Sequence, residues 1–243
     1  MPGNDSKSYI PTNEHDGQWA PLIAIIGSDG AGKTTIASYL CNALKGDGAT
    51  YSYLGLGSGT IGLKIRAWPL IGPIFEQHLT SKAQQARNVE ERIPGLITAL
   101  TIYAFSLMRA RRFKQMLNMR KRMGLIICDR YPQVELPGFY DGPGLSAARP
   151  RGYLTALLAI DEFALYQRMA RYRPTLVIRL NIDVETALVR KPDHNPELIK
   201  RKVDATPLLR FGGARIVDVD ATLPLLEVQS KCLELIMQMM SRA

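Results

Sequence analysis

Lys33 is the residue around which chemistry can be built, because of what stands beside it. Gly27-Ser28-Asp29-Gly30-Ala31-Gly32-Lys33-Thr34-Thr35 fits the pattern G-x-x-x-x-G-K-[ST]. In that pattern the glycines let the backbone turn sharply, and successive N–H groups converge on an oxyanion. The lysine places its ammonium on the outer phosphates of a nucleotide, and the following hydroxyl ligates Mg²⁺. The residues expected around the phosphates are Gly27, Asp29, Gly30, Ala31, Gly32, Lys33, Thr34 and Thr35. The competing reading is a glycine-rich turn that merely joins a strand to a helix. The flanks favour the phosphate loop: Leu22 to Ile26 is an apolar run of strand length, and Ile36, Leu40 and Leu44 recur at helical spacing before Gly46.

Asp129 and Arg130 are the second chemical pair. They follow Leu125-Ile126-Ile127-Cys128, an apolar run of the kind found in strands buried on both faces. Charges at the end of such a strand are costly unless used, and ligands of open α/β sheets bind there. Asp129 would join Thr34 in the Mg²⁺ shell, and Arg130 would clamp phosphate oxygens. The plain alternative is an Asp–Arg pair capping the sheet. Phe105 and Arg109, at i and i+4, share a helix face that can turn toward a ligand. Arg190 opens a basic segment running to Lys202 and punctuated by Pro192 and Pro196. It reads as a hinged cover over anionic phosphates, a lid around 190–207, or else as an exposed connector.

Positioning these residues takes alternating strands and helices. Strands are expected at 22–26, 50–54, 125–128, 175–180 and 215–219, giving a parallel sheet covered by helices. A helical pattern spans about 80–122, broken at Pro94-Gly95, with Leu96, Leu100, Tyr103, Ala104 and Leu107 as its core stripe. Further helices are expected at about 152–172, from an N-cap at Asp183, and at about 222–241. The last has Leu225, Val228, Cys232, Leu235, Ile236 and Met239 facing inward. Two glycine-rich loops, 55–62 and 133–151, border the presumed site.

The formal charge of +9 suits a polyanionic partner: nucleotide, nucleic acid or phospholipid surface. No apolar run approaches the roughly 20 residues that span a bilayer. Residues 1–20 read as a disordered tail without the apolar stretch of a secretory signal. Cys41, Cys128 and Cys232 lack metal spacing and read as buried thiols of a reducing, cytoplasmic setting.

From about 21 to 240 the chain resembles the thymidylate kinase family of P-loop nucleoside monophosphate kinases. The likeness rests on the phosphate loop with its internal Asp29, on Asp129-Arg130-Tyr131, on Phe105 and Arg109, on Arg190 at the head of the cover, and on Val219-Asp220-Ala221 near the adenine. It implies an α/β fold of three layers, a P-loop kinase domain over 21–243, with a five-stranded parallel sheet. The P-loop strand would lie centrally between 125–128 and 175–180. It implies ATP as phosphoryl donor, Mg²⁺ as cofactor, and an acceptor held by Asp29, Phe105, Arg109, Arg130 and Tyr131. Lys33 and Arg130 would neutralise the moving group, with Arg190 or its basic neighbours closing from above, and Asp29 would orient the acceptor. Where the family has an Arg-Glu-Pro-Gly stretch, this chain reads Leu54-Gly55-Leu56-Gly57-Ser58-Gly59-Thr60. A nucleoside monophosphate is the first expectation for the acceptor. A nucleoside, a sugar or a surface-polysaccharide precursor follows, and a nucleotide-dependent switch without kinase activity comes last. A homodimer is open, and a nucleic-acid partner is disfavoured.

Overall fold

The computed structural model describes residues 19–55, 95–122, 124–147, 149–150 and 152–241. Five short runs become strands: β1 (Leu22–Gly27), β2 (Ala49–Tyr53), β3 (Leu125–Asp129), β4 (Leu176–Asn181) and β5 (Ile216–Asp220). All pair in parallel in the order β2-β3-β1-β4-β5. The phosphate-loop strand is therefore central, with Ile23 opposite both Ile127 and Leu176. β1 and β3 are buried along their whole length, and β4 all but its last residue. Burial on both faces is why they read as nearly continuous apolar runs, interrupted in β4 by Arg179. Each strand lies within one residue of its expected bounds.

Helices α1 (Lys33–Ala43) and α6 (Leu225–Met240) cover one face, where Ile36, Leu40, Val228, Cys232 and Ile236 meet Ile23, Ile127 and Ile178. Helices α2 (Gly95–Arg120) and α3 (Tyr153–Ala170) cover the other, where Phe113, Met116, Tyr166 and Met169 meet Leu22, Ala24, Ile126 and Val177. These are the three layers that the alternating pattern implies.

The inward face of α2 differs from expectation. Leu96, Leu100, Ala104 and Leu107 are exposed and Tyr103 is half-buried, while Ala99, Ser106, Arg109, Phe113 and Met116 are buried. Only the second half of α2 packs on apolar sheet. Its first half overhangs the carboxyl ends of the strands, where small and polar side chains face inward, so the apolar stripe turns away. In α6, Leu225 is likewise exposed, whereas Val228, Cys232, Ile236 and Met239 are buried and Leu235 is half-buried. The helix expected over 80–94, the loop from 56 to 62 and residues 1–18 of the tail lie outside the described residues.

Two residues assigned to the tail are held firmly. The Ala20 N–H donates to the Arg120 carbonyl at 2.9 Å, and Arg120 Nε donates back to the Ala20 carbonyl at 2.6 Å. Trp19 stacks on Tyr172 with ring centres 5.9 Å apart. Cys41 is half-buried; Cys128 and Cys232 are buried, and all three are free thiols.

The segment after β4 forms two helices. Asp183 caps α4 (Val184–Arg190), accepting the Thr186 N–H at 2.7 Å. Asn195 caps α5 (Pro196–Ala205), accepting from the Glu197 and Leu198 N–H groups at 2.9 and 3.3 Å. Pro196 does not bound a loop, as its position suggested; it starts a helix, where its missing N–H costs nothing. The end of α5 is pinned by Arg179 of β4. Its Nε and Nη2 donate to the Asp218 carboxylate at 2.6 and 2.9 Å. Its Nη1 reaches the carbonyls of Thr206, Pro207 and Leu209 at 3.4, 3.2 and 3.4 Å.

Candidate active site

The phosphate loop lies between β1 and α1. Gly32 opens the helix in left-handed backbone, φ 84. A Cβ on Gly27 would stand 2.6 Å from the Leu180 carbonyl oxygen, so only glycine lets the loop pass β4. Lys33 folds back across the loop and donates to the Ser28 carbonyl at 2.8 Å. Burial, aided by Arg130, pushes its pKa down to about 8 against the pull of Asp29 and Asp141. Ala31 is buried and Thr35 exposed.

Thr34 Oγ1 donates to Asp129 Oδ2 at 2.9 Å, joining α1 to the end of β3. Asp129 is fully buried, and its Oδ1 has no hydrogen-bond partner. Burial raises its pKa, opposed by the Thr34 hydroxyl, by the Tyr51 hydroxyl nearby, which itself makes no hydrogen bond, and by Arg130. An orphaned carboxylate oxygen beside a threonine hydroxyl suits a hard cation that takes its remaining ligands from phosphate and water. Among the described residues no cluster of three or more His, Cys, Asp or Glu could cage a metal alone. The residues present therefore fit Mg²⁺ shared with a nucleotide.

Asp29 meets the end of α5. Lys202 Nζ pairs with its Oδ2. Burial works to raise the Asp29 pKa, but Lys202, then Lys33 and Arg130, hold it down at about 2. The Tyr140 hydroxyl bonds to the Lys202 carbonyl and to Thr206, and Arg201 lies 5.5 Å from the Phe139 ring centre. The loop after β3 and helix α5 are thus joined above the phosphate loop. Arg190 is placed differently from expectation. Its Nη1 donates to the Ala221 and Gly30 carbonyls at 2.9 and 3.3 Å, so it ties the phosphate loop to the turn after β5. Lys202, not Arg190, is the cation on Asp29.

On the side where the acceptor was expected, Arg109 is 5% exposed. It donates from Nη1 to the Asp141 carbonyl at 2.9 Å and from Nη2 to its Oδ1 at 2.8 Å, leaving Nε without a partner. Burial opposes its charge, and Asp141 more than restores it. Asp141 is delivered by a loop that the buried Gln133 braces, with bonds of 2.7–2.8 Å to the backbone of Leu136 and Phe139. Arg130 adopts left-handed backbone, φ 57, and its Nε is buried without a partner. Such strain in a non-glycine residue is characteristic of functional positions. Phe105 is half-buried one turn before Arg109. Tyr131, expected at the acceptor, does not join this group. It is 2% exposed, donates to the Tyr172 carbonyl and packs edge-on to Phe113 and Phe211. Arg130's backbone turn sends the next side chain into the apolar layer.

Lys202 and Asp141 enter the site without having been singled out, and so does Arg112, which donates to the Gly55 carbonyl just beyond β2. The first lay within a segment read as basic, but its facing depends on where α5 starts. The second sat in a stretch noted only for glycine and proline. The third lay in a basic run of α2 with no visible partner.

A central P-loop strand, five parallel strands and helices on both faces define a P-loop kinase fold. A solved deoxyadenosine kinase from M. mycoides, bound to dCMP and a flexible dCDP, shares it with a TM-score of 0.50 and 20% identity, covering 91% of this chain and all of that one. No family model matches the chain. Over 209 residues it is 44% identical to YghS of Escherichia coli K12, with 85% of this chain and 88% of YghS covered. It is 39% identical over 209 residues to YghR of the same strain, with 85% and 83% covered. Both are described as uncharacterized ATP-binding proteins. The chain belongs to this YghR/YghS family.

Proposed function

We propose that the protein binds ATP with Mg²⁺ and transfers the γ-phosphoryl group to a small-molecule acceptor, with a nucleoside monophosphate first. The observation that carries this reading is the Thr34–Asp129 contact beside Lys33, which gathers a cation site and a phosphate cation at one helix N-terminus. The ATP-binding descriptions of YghR and YghS support the donor.

Phosphoryl transfer needs positioning and charge neutralisation more than covalent help. The loop N–H groups from Gly27 to Thr35 cradle the phosphates, Lys33 bridges the outer ones, and Arg130 approaches from β3. Thr34 and Asp129 hold Mg²⁺, which when bound neutralises charge on the phosphate oxygens. Arg190 fixes the loop against the turn after β5, and the cover over 190–207 excludes water through Lys202. Asp29, Phe105, Arg109 and Arg130 line the acceptor side of one kinase domain over 21–243. An acceptor attacking through a phosphate oxygen requires no general base. A hydroxyl acceptor requires a carboxylate within reach, and Asp29 or Asp129 would have to supply it. A monophosphate, which needs neither as a base, ranks ahead of a sugar, nucleoside or polysaccharide precursor. The Arg and Glu missing from Leu54–Thr60 weaken the match on the acceptor side, and the missing Glu weakens the nucleoside version, whose base that position often supplies.

The same reading places the protein in the cytoplasm, and among the described residues no helix is long and apolar enough to cross a membrane. It also includes a second copy of the chain as partner, supported by exposed apolar residues on α2 and α3. The test of function is an ATP-dependent screen of nucleoside monophosphates, nucleosides and sugars read by product mass. A phosphorylated monophosphate supports the first reading, and products from hydroxyl acceptors alone replace it with the second. ADP and phosphate alone, whatever acceptor is offered, indicate a nucleotide-dependent switch.

A further inference from the structure

Among the described residues, two buried side-chain oxygens lack a hydrogen-bond partner, Asp129 Oδ1 and Tyr51 Oη. The sheet brings them to one place. β2 and β3 pair with Tyr53 opposite Asp129 and Tyr51 opposite Ile127. Residues two apart on a strand share a face, so Tyr51 stands diagonally behind Asp129 on one face of the sheet. That face lies under α1. The Tyr51 ring packs beside the core that contains Ile36 and Ile127, and Thr34 reaches Asp129 from the first turn of the helix. Burial, then the charge of Asp129, raises the Tyr51 pKa, and the Thr34 hydroxyl lowers it, so the phenol feels both groups. Packing explains the ring but not the hydroxyl. A buried hydroxyl without a partner is unfavourable, and phenylalanine would fill the same space without that cost. Mg²⁺ shared with a nucleotide keeps several waters, and a water polarised by a cation is a strong donor. A phenol oxygen accepts from such a water. Groups that hold a metal's outer shell in this way tune its affinity through the ligands they orient.

We propose that Tyr51 is a positioning residue for Mg²⁺, its hydroxyl accepting from a water of the cation's shell while Thr34 and Asp129 hold the cation. The inference rests on the Mg²⁺–ATP reading above, and it adds a residue of β2 to a site otherwise built from α1 and β3. Tyr51 is then a tyrosine for its oxygen, not for its ring.

The test reads the metal apart from the reaction. A β,γ-imido analogue of ATP is titrated calorimetrically, with Mg²⁺ and with EDTA in its place, into the wild-type protein, Tyr51→Phe and Thr34→Val. Tyr51→Phe keeps the ring and removes only the oxygen. In the wild-type protein Mg²⁺ tightens binding of the analogue. In Tyr51→Phe that gain falls by about tenfold, while the affinity in EDTA is unchanged. Thr34→Val removes the gain, and adding Tyr51→Phe to it removes no more. Paramagnetic resonance of Mn²⁺ in the presence of the analogue shows the same loss of metal affinity in Tyr51→Phe. Melting curves without ligand establish that each variant is folded. A hydroxyl without this role leaves the Mg²⁺ gain of Tyr51→Phe as in the wild-type protein, which overturns the proposal. Equal weakening with and without Mg²⁺ overturns it too, since that marks a disturbed phosphate loop. If Mg²⁺ does not tighten binding to the wild-type protein, the proposal falls while ATP binding stands. Absence of analogue binding in either buffer overturns the donor reading and the proposal together.

Discussion

At the scale of single residues, Lys33 carries the most. If the proposed transfer is right, Lys33→Ala should lower it by about 10³-fold or more while circular dichroism stays native, since the side chain would serve charge on the moving group and is not part of the core. Its titration gives a second expectation. Folding lowers its pKa from 10.5 to about 8, with burial as the main cause. The fold therefore disfavours the cation: that cost is full below about 8 and is relieved as pH rises toward 10.5. Bound phosphate reverses the preference. At pH 9 ATP binding should take up a proton, seen as a buffer-dependent binding enthalpy, and at pH 6.5 it should not. Proton uptake at pH 9 that persists in Lys33→Met would assign the effect elsewhere. Asp29 runs the other way. Its stabilising contribution is full above 3.8 and lost as pH falls toward 2, so Asp29→Asn should flatten the acid limb of the stability profile between those values. The phosphate-loop residues were legible because their spacing is itself the geometry. Lys202, Asp141 and Arg112 were not, because each acts through a partner 173, 32 or 57 positions away.

At the scale of elements, α5 is where the proposed cover becomes testable. It is short, its outer face is charged, and Ile199 and Ala205 are its buried residues. Hydrogen exchange over 196–205 should slow when ATP and a bisubstrate analogue are both present. Equal exchange in both states would leave α5 an ordinary surface helix. Asn195→Ala should cost about 1 kcal/mol by removing two cap bonds, read as a lower unfolding midpoint in urea. The strands were readable to within one residue: β1, β3 and β4 as apolar runs buried on both faces, and the edge strands β2 and β5 as β-branched and aromatic residues alternating with polar ones. The facing of α2 was not. Its apolar stripe has proper helical spacing, yet spacing fixes only that residues share a face, not which layer the face meets. Where the helix leaves the sheet and overhangs the cleft, Ser106 and Arg109 take the inward positions.

At the scale of the whole molecule, the second copy proposed above would cover the outward face of α2 and α3. Ile97, Tyr153, Leu154 and Ile160 are 65%, 77%, 57% and 67% exposed, and Leu96, Leu100, Leu107 and Leu157 add to them. Together they present on the order of 800 Å², the share that one side gives to a standard interface. Light scattering should therefore return twice the chain mass, and Ile97→Asp with Ile160→Asp should return a single chain. A wild-type protein of single mass would remove the second copy from the reading. The grip of Arg179 on the three carbonyls beyond α5 has a mechanical side. A helix of ten residues is about 15 Å long, and this one is seated at two points: Ile199 in the core near its start and, beyond its last turn, the carbonyls that Arg179 holds. A beam resting on two bearings does not swing about one of them. Under the cover proposed above it would lift as one piece, and the ammonium group of Lys202 would leave Asp29 whenever the mouth of the cleft opened.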